Sequence, residues 1–96
     1  WKPILKDNFP LVYVKVGQLV ILTEINAGRR LTHRLTELGL TPGVRLSVIQ
    51  DNGGPIMILV RDSRIAIGRE MAKKILVSAI EDQKIHQASS QKLVLN

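Results

Sequence analysis

The stretch that most constrains this 96-residue chain is Arg34-Leu-Thr-Glu-Leu-Gly-Leu-Thr-Pro-Gly43, where a helix, a stop and a turn follow with no spare residue. Leu31, Leu35 and Leu38 recur at i, i+4 and i+7, one apolar stripe of a short helix. Gly39 then stands where a left-handed C′ residue is needed, so the helix runs to Leu38 and stops. With Gly39 at C′, Leu40 is C″ and lies over Leu35 at C3, the apolar contact that accompanies a Schellman cap. Thr41-Pro42-Gly43-Val44 reads as a type II turn, because proline presets φ at its second position and glycine accepts a positive φ at its third. A strand must begin at once.

Around that corner the pattern is one of short strands. Residues 1–10 carry Pro3 and Pro10 and read as an irregular N-terminal arm. Val14 to Gly17 closes into a turn, and the β-branched run from Leu19 to Ile25 is a strand, after which Asn26 is placed to cap the helix. Val44, Leu46 and Val48 alternate with Arg45 and Ser47, as in a half-buried strand. Asp51-Asn-Gly-Gly54 supplies the Asn-Gly dipeptide of a tight hairpin, and Asp62-Ser63 makes a second turn into Arg64-Ile-Ala-Ile67. Arg69 to Lys74 fits one helical turn, and Ile75-Leu-Val77 a last strand that returns to the first.

These elements give an all-β fold over residues 11–78: a small, partly open antiparallel barrel of five or six strands with one interposed α-helix and a short helical turn. Beyond Ser78 the residues are Gln- and Ser-rich, so 79–96 are expected to form a mobile tail in which Lys92-Leu-Val-Leu95 could pair with an exposed edge, including that of a second copy.

Composition limits the function. Fourteen Lys and Arg against eight Asp and Glu give a formal charge of +6, which suits an acidic partner surface. With one Trp, one Tyr and one Phe, the chain lacks the aromatic platform on which single strands stack, and no nucleic acid is expected. No cysteine is present, which suits a reducing, cytoplasmic setting. The longest apolar run, Ile56 to Val60, falls far short of the roughly 20 residues of a membrane helix, so no direct membrane insertion is expected.

The chemistry of catalysis is missing. There is no thiol, no Gly-x-Ser-x-Gly and no acid pair in contrasting environments, and Gly53-Gly54-Pro55 lacks the Lys-Ser/Thr of a phosphate loop. The chain reads as a non-enzyme without catalytic residues or cofactor. His33 and Glu37 lie one helical turn apart and could touch a cation, but two ligands do not enclose one. A third would have to come from Asp51, Asp62 or another molecule, and a solvated helix face is the better reading.

Counting about 100° per residue around the helix turns Arg29 and His33 away from the leucines and Arg30 to one side, while Arg34 borders the apolar face. Arg34 is expected to lay its stem over the core and anchor a local carbonyl or carboxylate. Met57 and Leu59 alternate out of phase with Ile56, Ile58 and Val60 and so face outward. They pack under a terminal arm or meet a partner. The expected partner-binding residues are therefore Arg29, Arg30, His33, Met57 and Leu59, and the structural ones Leu31, Arg34, Leu35, Leu38, Gly39, Pro42 and Gly43.

Arg34-Leu-x-Glu-Leu-Gly-Leu-x-Pro-Gly43, Gly54-Pro-Ile56, Arg64-Ile-Ala-Ile-x-Arg-Glu-x-Ala72 and Ile75-Leu-Val77 resemble the FeoA family, ferrous iron transport protein A, in order and spacing from about Leu11 to Ser78. The resemblance implies an SH3-like barrel and a cytosolic component of bacterial ferrous iron uptake. It implies as partner the membrane permease FeoB, which carries a GTPase domain. The same domain type ends DtxR-like metal-dependent repressors, which leaves a detached repressor module or a nucleic-acid-binding barrel as the alternative. The ten residues before Leu11 leave no room for a helix-turn-helix. Two features depart from the family pattern: the tail after Ser78 is longer, and Gly68 fills a slot often held by a polar side chain.

Overall fold

The computed structural model describes residues 4–5 and 8–81. Its elements in chain order are β1 (Ile4–Leu5), β2 (Phe9–Pro10), a 3-10 turn (Leu11–Tyr13), β3 (Leu19–Ile25), α1 (Arg29–Glu37), β4 (Arg45–Gln50), β5 (Ile56–Val60), β6 (Ser63–Ile67), α2 (Arg69–Ala72) and β7 (Ile75–Glu81). The strands pair antiparallel in the order β1-β7-β3-β4-β5-β6, and β2 also pairs with β7. The return of β7 to β3, from Val20 opposite Ala79 to Ile25 opposite Ile75, curls the sheet on itself. At the other end β6 has β5 as its one strand neighbour among the described residues, which leaves the barrel partly open.

One side of every long strand fills the interior. Val20 and Leu22 of β3, Leu46 and Val48 of β4, Ile56, Ile58 and Val60 of β5 and Ile75 and Val77 of β7 are all buried, joined by Leu35 and Leu40 from the corner. These residues alternate with exposed or half-buried ones along β4 and β5, as the period-two pattern requires. Each such side chain removed from water contributes roughly 1.5–3 kcal/mol, which is why the register is fixed by the apolar set.

Five local expectations are corrected. The arm is not irregular throughout: Ile4 and Leu5 pair with Glu81 and Ile80, and Phe9 and Pro10 pair with Val77 and Leu76. Proline is tolerated there because β2 is a short edge strand. The last strand does not end at Val77 but continues to Glu81, because the arm supplies it with a second neighbour. Ser78, which looked like the start of a tail, is buried and its hydroxyl donates to the Asn8 side-chain carbonyl at 2.7 Å.

The connection after β4 is no two-residue turn. Residues 51–55 form a five-residue loop, β4 slips register between Val48 and Gln50, and at the Asn-Gly step only Gly53 has a positive φ, +94°. A type I′ turn needs a positive φ at both central residues. The next hairpin is tighter, with Val60 opposite Ser63, so its two loop residues are Arg61 and Asp62 rather than Asp62 and Ser63. The remainder of the expected tail, including Lys92 to Leu95, lies outside the described residues.

Candidate protein-interaction surface

The corner places the helix, and its hydrogen bonds match the Schellman geometry. The N–H of Leu40 donates to the Leu35 carbonyl at 3.0 Å and that of Gly39 to the Thr36 carbonyl at 2.9 Å, with Gly39 at φ +95°. The N–H of Val44 donates to the Thr41 carbonyl at 3.0 Å across Pro42 and Gly43, which also has φ +95°, so the second turn is type II. Leu35 is buried and Leu31 packs against the core.

Leu38 departs from its expected place. It is the C-cap, with φ −84° and ψ 1°, and is 51% exposed, while the turn that follows brings Leu40, 0% exposed, into the core position. Asn26 does not cap the helix. The N-cap is Gly28, with no side-chain bond, and the N–H of Asn26 donates to the Lys74 carbonyl at 2.6 Å, tying the helix entry to the chain just before β7.

Arg29, Arg30 and His33 are exposed along α1, a helix face that nothing covers among the described residues. His33 Nε2 lies 3.7 Å from Glu37 Oε2, with both side chains largely in solvent. Among the described residues no group of three or more His, Asp or Glu converges on one point. Arg34 is exposed too, and among the described residues it makes no hydrogen bond or ion pair, so the expected anchor is not formed.

Met57 and Leu59 face outward on β5, Met57 half-buried and Leu59 more open. The pairing sets Leu59 in a cross-strand row, Leu19–Ser47–Leu59–Arg64, on the outer face of four strands. Leu19 and Ile49 are exposed on β3 and β4, and sequence reasoning missed both. The signal for Leu19 was hidden inside the unbroken run Leu19-Val-Ile-Leu22, where alternation leaves no polar mark. The register also divides the expected surface: Met57 lies opposite Gln50, at the end of β4 remote from α1, and Leu59 opposite Ser47 in its middle.

A contact between distant segments braces the loop beside this face. Arg69 Nη1 donates to Asp51 Oδ1 at 2.6 Å and to the Gly54 carbonyl at 3.1 Å, while the N–H of Gly53 donates to Asp51 Oδ1 at 3.2 Å. Asp51, weighed from sequence as a third metal ligand, is thus held by a guanidinium. The Arg69 hydrogen bond, with a smaller contribution from the Gly53 amide, lowers its carboxyl below the ordinary value of 3.8. A depressed pKa contributes stability that is present above the ordinary value and lost as pH falls through the folded one. Asp51→Asn should lower the Tm slightly at neutral pH, and its gap to the wild-type protein should close in acid below 3.8. Thermal melts of both proteins across pH check this, and a gap unchanged in acid would show that the carboxylate contributes nothing.

The family model for the FeoA domain matches residues 9–79. The chain belongs to the FeoA family. A relative from Methanocaldococcus jannaschii named Fe(2+) transport protein A is 41% identical over 73 residues, 76% of this chain and 89% of its own. A crystal structure of the iron uptake regulatory protein FeoA superposes with a TM-score of 0.68 at 30% identity, covering 78% of this chain and 99% of that one. FeoA of Stenotrophomonas maltophilia, a procaryotic SH3 domain protein solved with zinc, superposes with a TM-score of 0.65 at 21% identity, over 72% of this chain and 88% of that one. The fold of this FeoA domain is SH3-like, as the resemblance implied. A manganese-dependent transcriptional repressor shares it at a TM-score of 0.70 and 18% identity, over 77% of this chain and 42% of the repressor, which shows fold alone. Among the described residues of this FeoA-family chain, no helix is long and apolar enough to cross a membrane.

Proposed function

We propose that this FeoA-family protein is a non-enzymatic cytosolic adaptor of ferrous iron uptake that binds and regulates a FeoB-type permease near its GTPase domain. The observation that carries the reading is the family match over residues 9–79, together with the 41% identity to a relative named for Fe(2+) transport. The surface supports it: an exposed basic helix face and an apolar sheet face suit protein contact. Arg29, Arg30 and His33 supply the charged part of the interface, with Met57 and Leu59 the apolar part.

Arg29→Glu combined with Arg30→Glu should leave stability within about 0.5 kcal/mol of wild type, because both side chains are exposed, yet weaken capture of the permease's cytosolic portion in a pull-down. Rising salt should weaken the wild-type complex as well. A folded double variant that captures the permease undiminished removes α1 from the interface. Met57→Ser with Leu59→Ser then tests the sheet half. Wild-type Fe(II) accumulation in cells lacking this protein would overturn the transport reading itself.

A further inference from the structure

The open side of the barrel is bounded by β6, whose outer edge has no strand beside it among the described residues. Antiparallel pairs alternate between hydrogen-bonded and non-hydrogen-bonded positions, and the pair that closes a two-residue hairpin is of the first kind. Val60 and Ser63 close this hairpin, so Ile58–Ile65 and Ile56–Ile67 are also hydrogen-bonded, while Leu59–Arg64 and Met57–Ala66 are not. The backbone N–H and C=O groups of Arg64 and Ala66 therefore point away from β5, to the free edge. Both residues are exposed, and among the described residues no backbone hydrogen bond from a turn or loop reaches β6.

Edges of this kind are normally blunted by proline, lysine, a bulge or brevity. β6 has five residues, reads Ser-Arg-Ile-Ala-Ile, and pairs with β5 without a register shift. Its chemistry favours one occupant. Arg64 lies on the outer face beside Leu59, Arg45 shares that face two residues before Ser47 of the same row, and Arg61 stands in the adjoining turn, all three exposed. Among the described residues none of the three makes an ion pair, and the acidic group nearest in sequence is Asp62 in the turn. On the inward side the edge presents half-buried Ile65 and buried Ile67.

We infer that the β6 edge recruits an extended, acidic segment of a partner protein as an added strand. Its backbone pairs with Arg64 and Ala66, its carboxylates lie on the outer face against Arg64 and Arg61, and its alternate apolar side chains extend the core beside Ile65. Main-chain bonds supply affinity and the alternation supplies specificity. A second copy of this chain is the poorer occupant: antiparallel β6 pairing about Ile65 would bring two cationic edges together, each on a chain of charge +6. The edge is distinct from α1, and the inference holds or fails separately from the permease reading.

The probe is a blocked peptide of alternating Val and Glu, about eight residues long, titrated into the full chain by fluorescence anisotropy, with amide exchange read at Arg64 and Ala66. Binding should slow exchange at those two amides. N-methylation of the peptide's pairing amides, replacement of its Glu by Lys, and Arg61→Glu with Arg64→Glu in the protein should each weaken binding at least tenfold, about one decade in Kd. Ala66→Pro removes an outward N–H that β5 does not use and should abolish binding without loss of β-sheet signal. The N-methylated peptide tests the same bond without altering the protein. Equal binding of the N-methylated or Lys peptide, an unchanged Kd in the double reversal, or no binding at about 1 mM would each overturn the inference.

Discussion

Leu40→Ala should cost about 2–5 kcal/mol of unfolding free energy, the range for truncating a fully buried leucine. Leu40 is 0% exposed and stands just past the helix, its N–H bonded to the Leu35 carbonyl at 3.0 Å. The side chain therefore fills the core and its backbone closes the cap, and truncation leaves a cavity that the surrounding turn is poorly placed to collapse into. Leu38→Ala is the control. That residue is 51% exposed, and its loss should cost within about 0.5 kcal/mol. Urea midpoints for the two variants decide the matter. Equal midpoints would mean that Leu38 shares the core and that the stripe of a longer helix is correct after all.

The contrast between Leu38 and Leu40 shows how far the corner was legible. Gly39, Pro42 and Gly43 announce themselves because each has a conformational role few other residues fill: a left-handed stop, a fixed φ, a second positive φ. The leucine spacing was sound as far as Leu35. It failed at Leu38 because the chain turns back after this C-cap residue, with ψ 1°, and brings Leu40 rather than Leu38 over the core. Periodicity assumes the helix it is used to detect.

What the sequence hid was chiefly long-range. Ser78 and Asn8 are 70 residues apart and their bond buries a serine that local composition assigns to a tail. Arg69 and Asp51, 18 apart, join the loop after β4 to α2. The Thr23 hydroxyl donates to the Leu76 carbonyl at 3.0 Å where β3 slips register against β7, a bulge that no pattern in Leu19 to Ile25 signals. Each depends on which strand returns to which, and only the apolar alternation bears on that, through register. Of the candidate surface, the exposure of Arg29, Arg30 and His33 followed from helical phase. Leu19 did not, since a run of four apolar residues looks the same whether one face or both are buried.

These observations bear on how a small barrel can serve as an adaptor. Its interior is committed almost wholly to packing, with every long strand contributing buried residues. On the proposed reading, contact falls to positions the core does not use: the exposed side of α1, the outer row of β3 to β6, and the β6 edge. A change there alters what the domain meets and hardly how stable it is, which is why the charge reversals on α1 and the core truncation should separate cleanly in experiment.

Gly39→Val should destabilise the domain by about 1–3 kcal/mol, through the backbone alone. A Cβ built at Gly39 meets nothing within 4 Å, so no clash contributes. The cost comes from φ +95°, a conformation in which a β-branched side chain crowds its own carbonyl. The two bonds that end α1, Gly39 to Thr36 and Leu40 to Leu35, both need that conformation. Relaxing it would release them and tilt the entry to β4. A series separates this cause from others: Asn, which tolerates left-handed backbone, should cost least, Ala more and Val most. Gly43 has the same φ and the same open space, so Gly43→Val should follow the same order, but the two sites lie in adjoining turns and their costs should not add. Denaturant midpoints for the series give the order directly. If Asn, Ala and Val at Gly39 were equally tolerated, the helix would have another way to end, and the placement of Leu40 in the core would need a cause other than this cap.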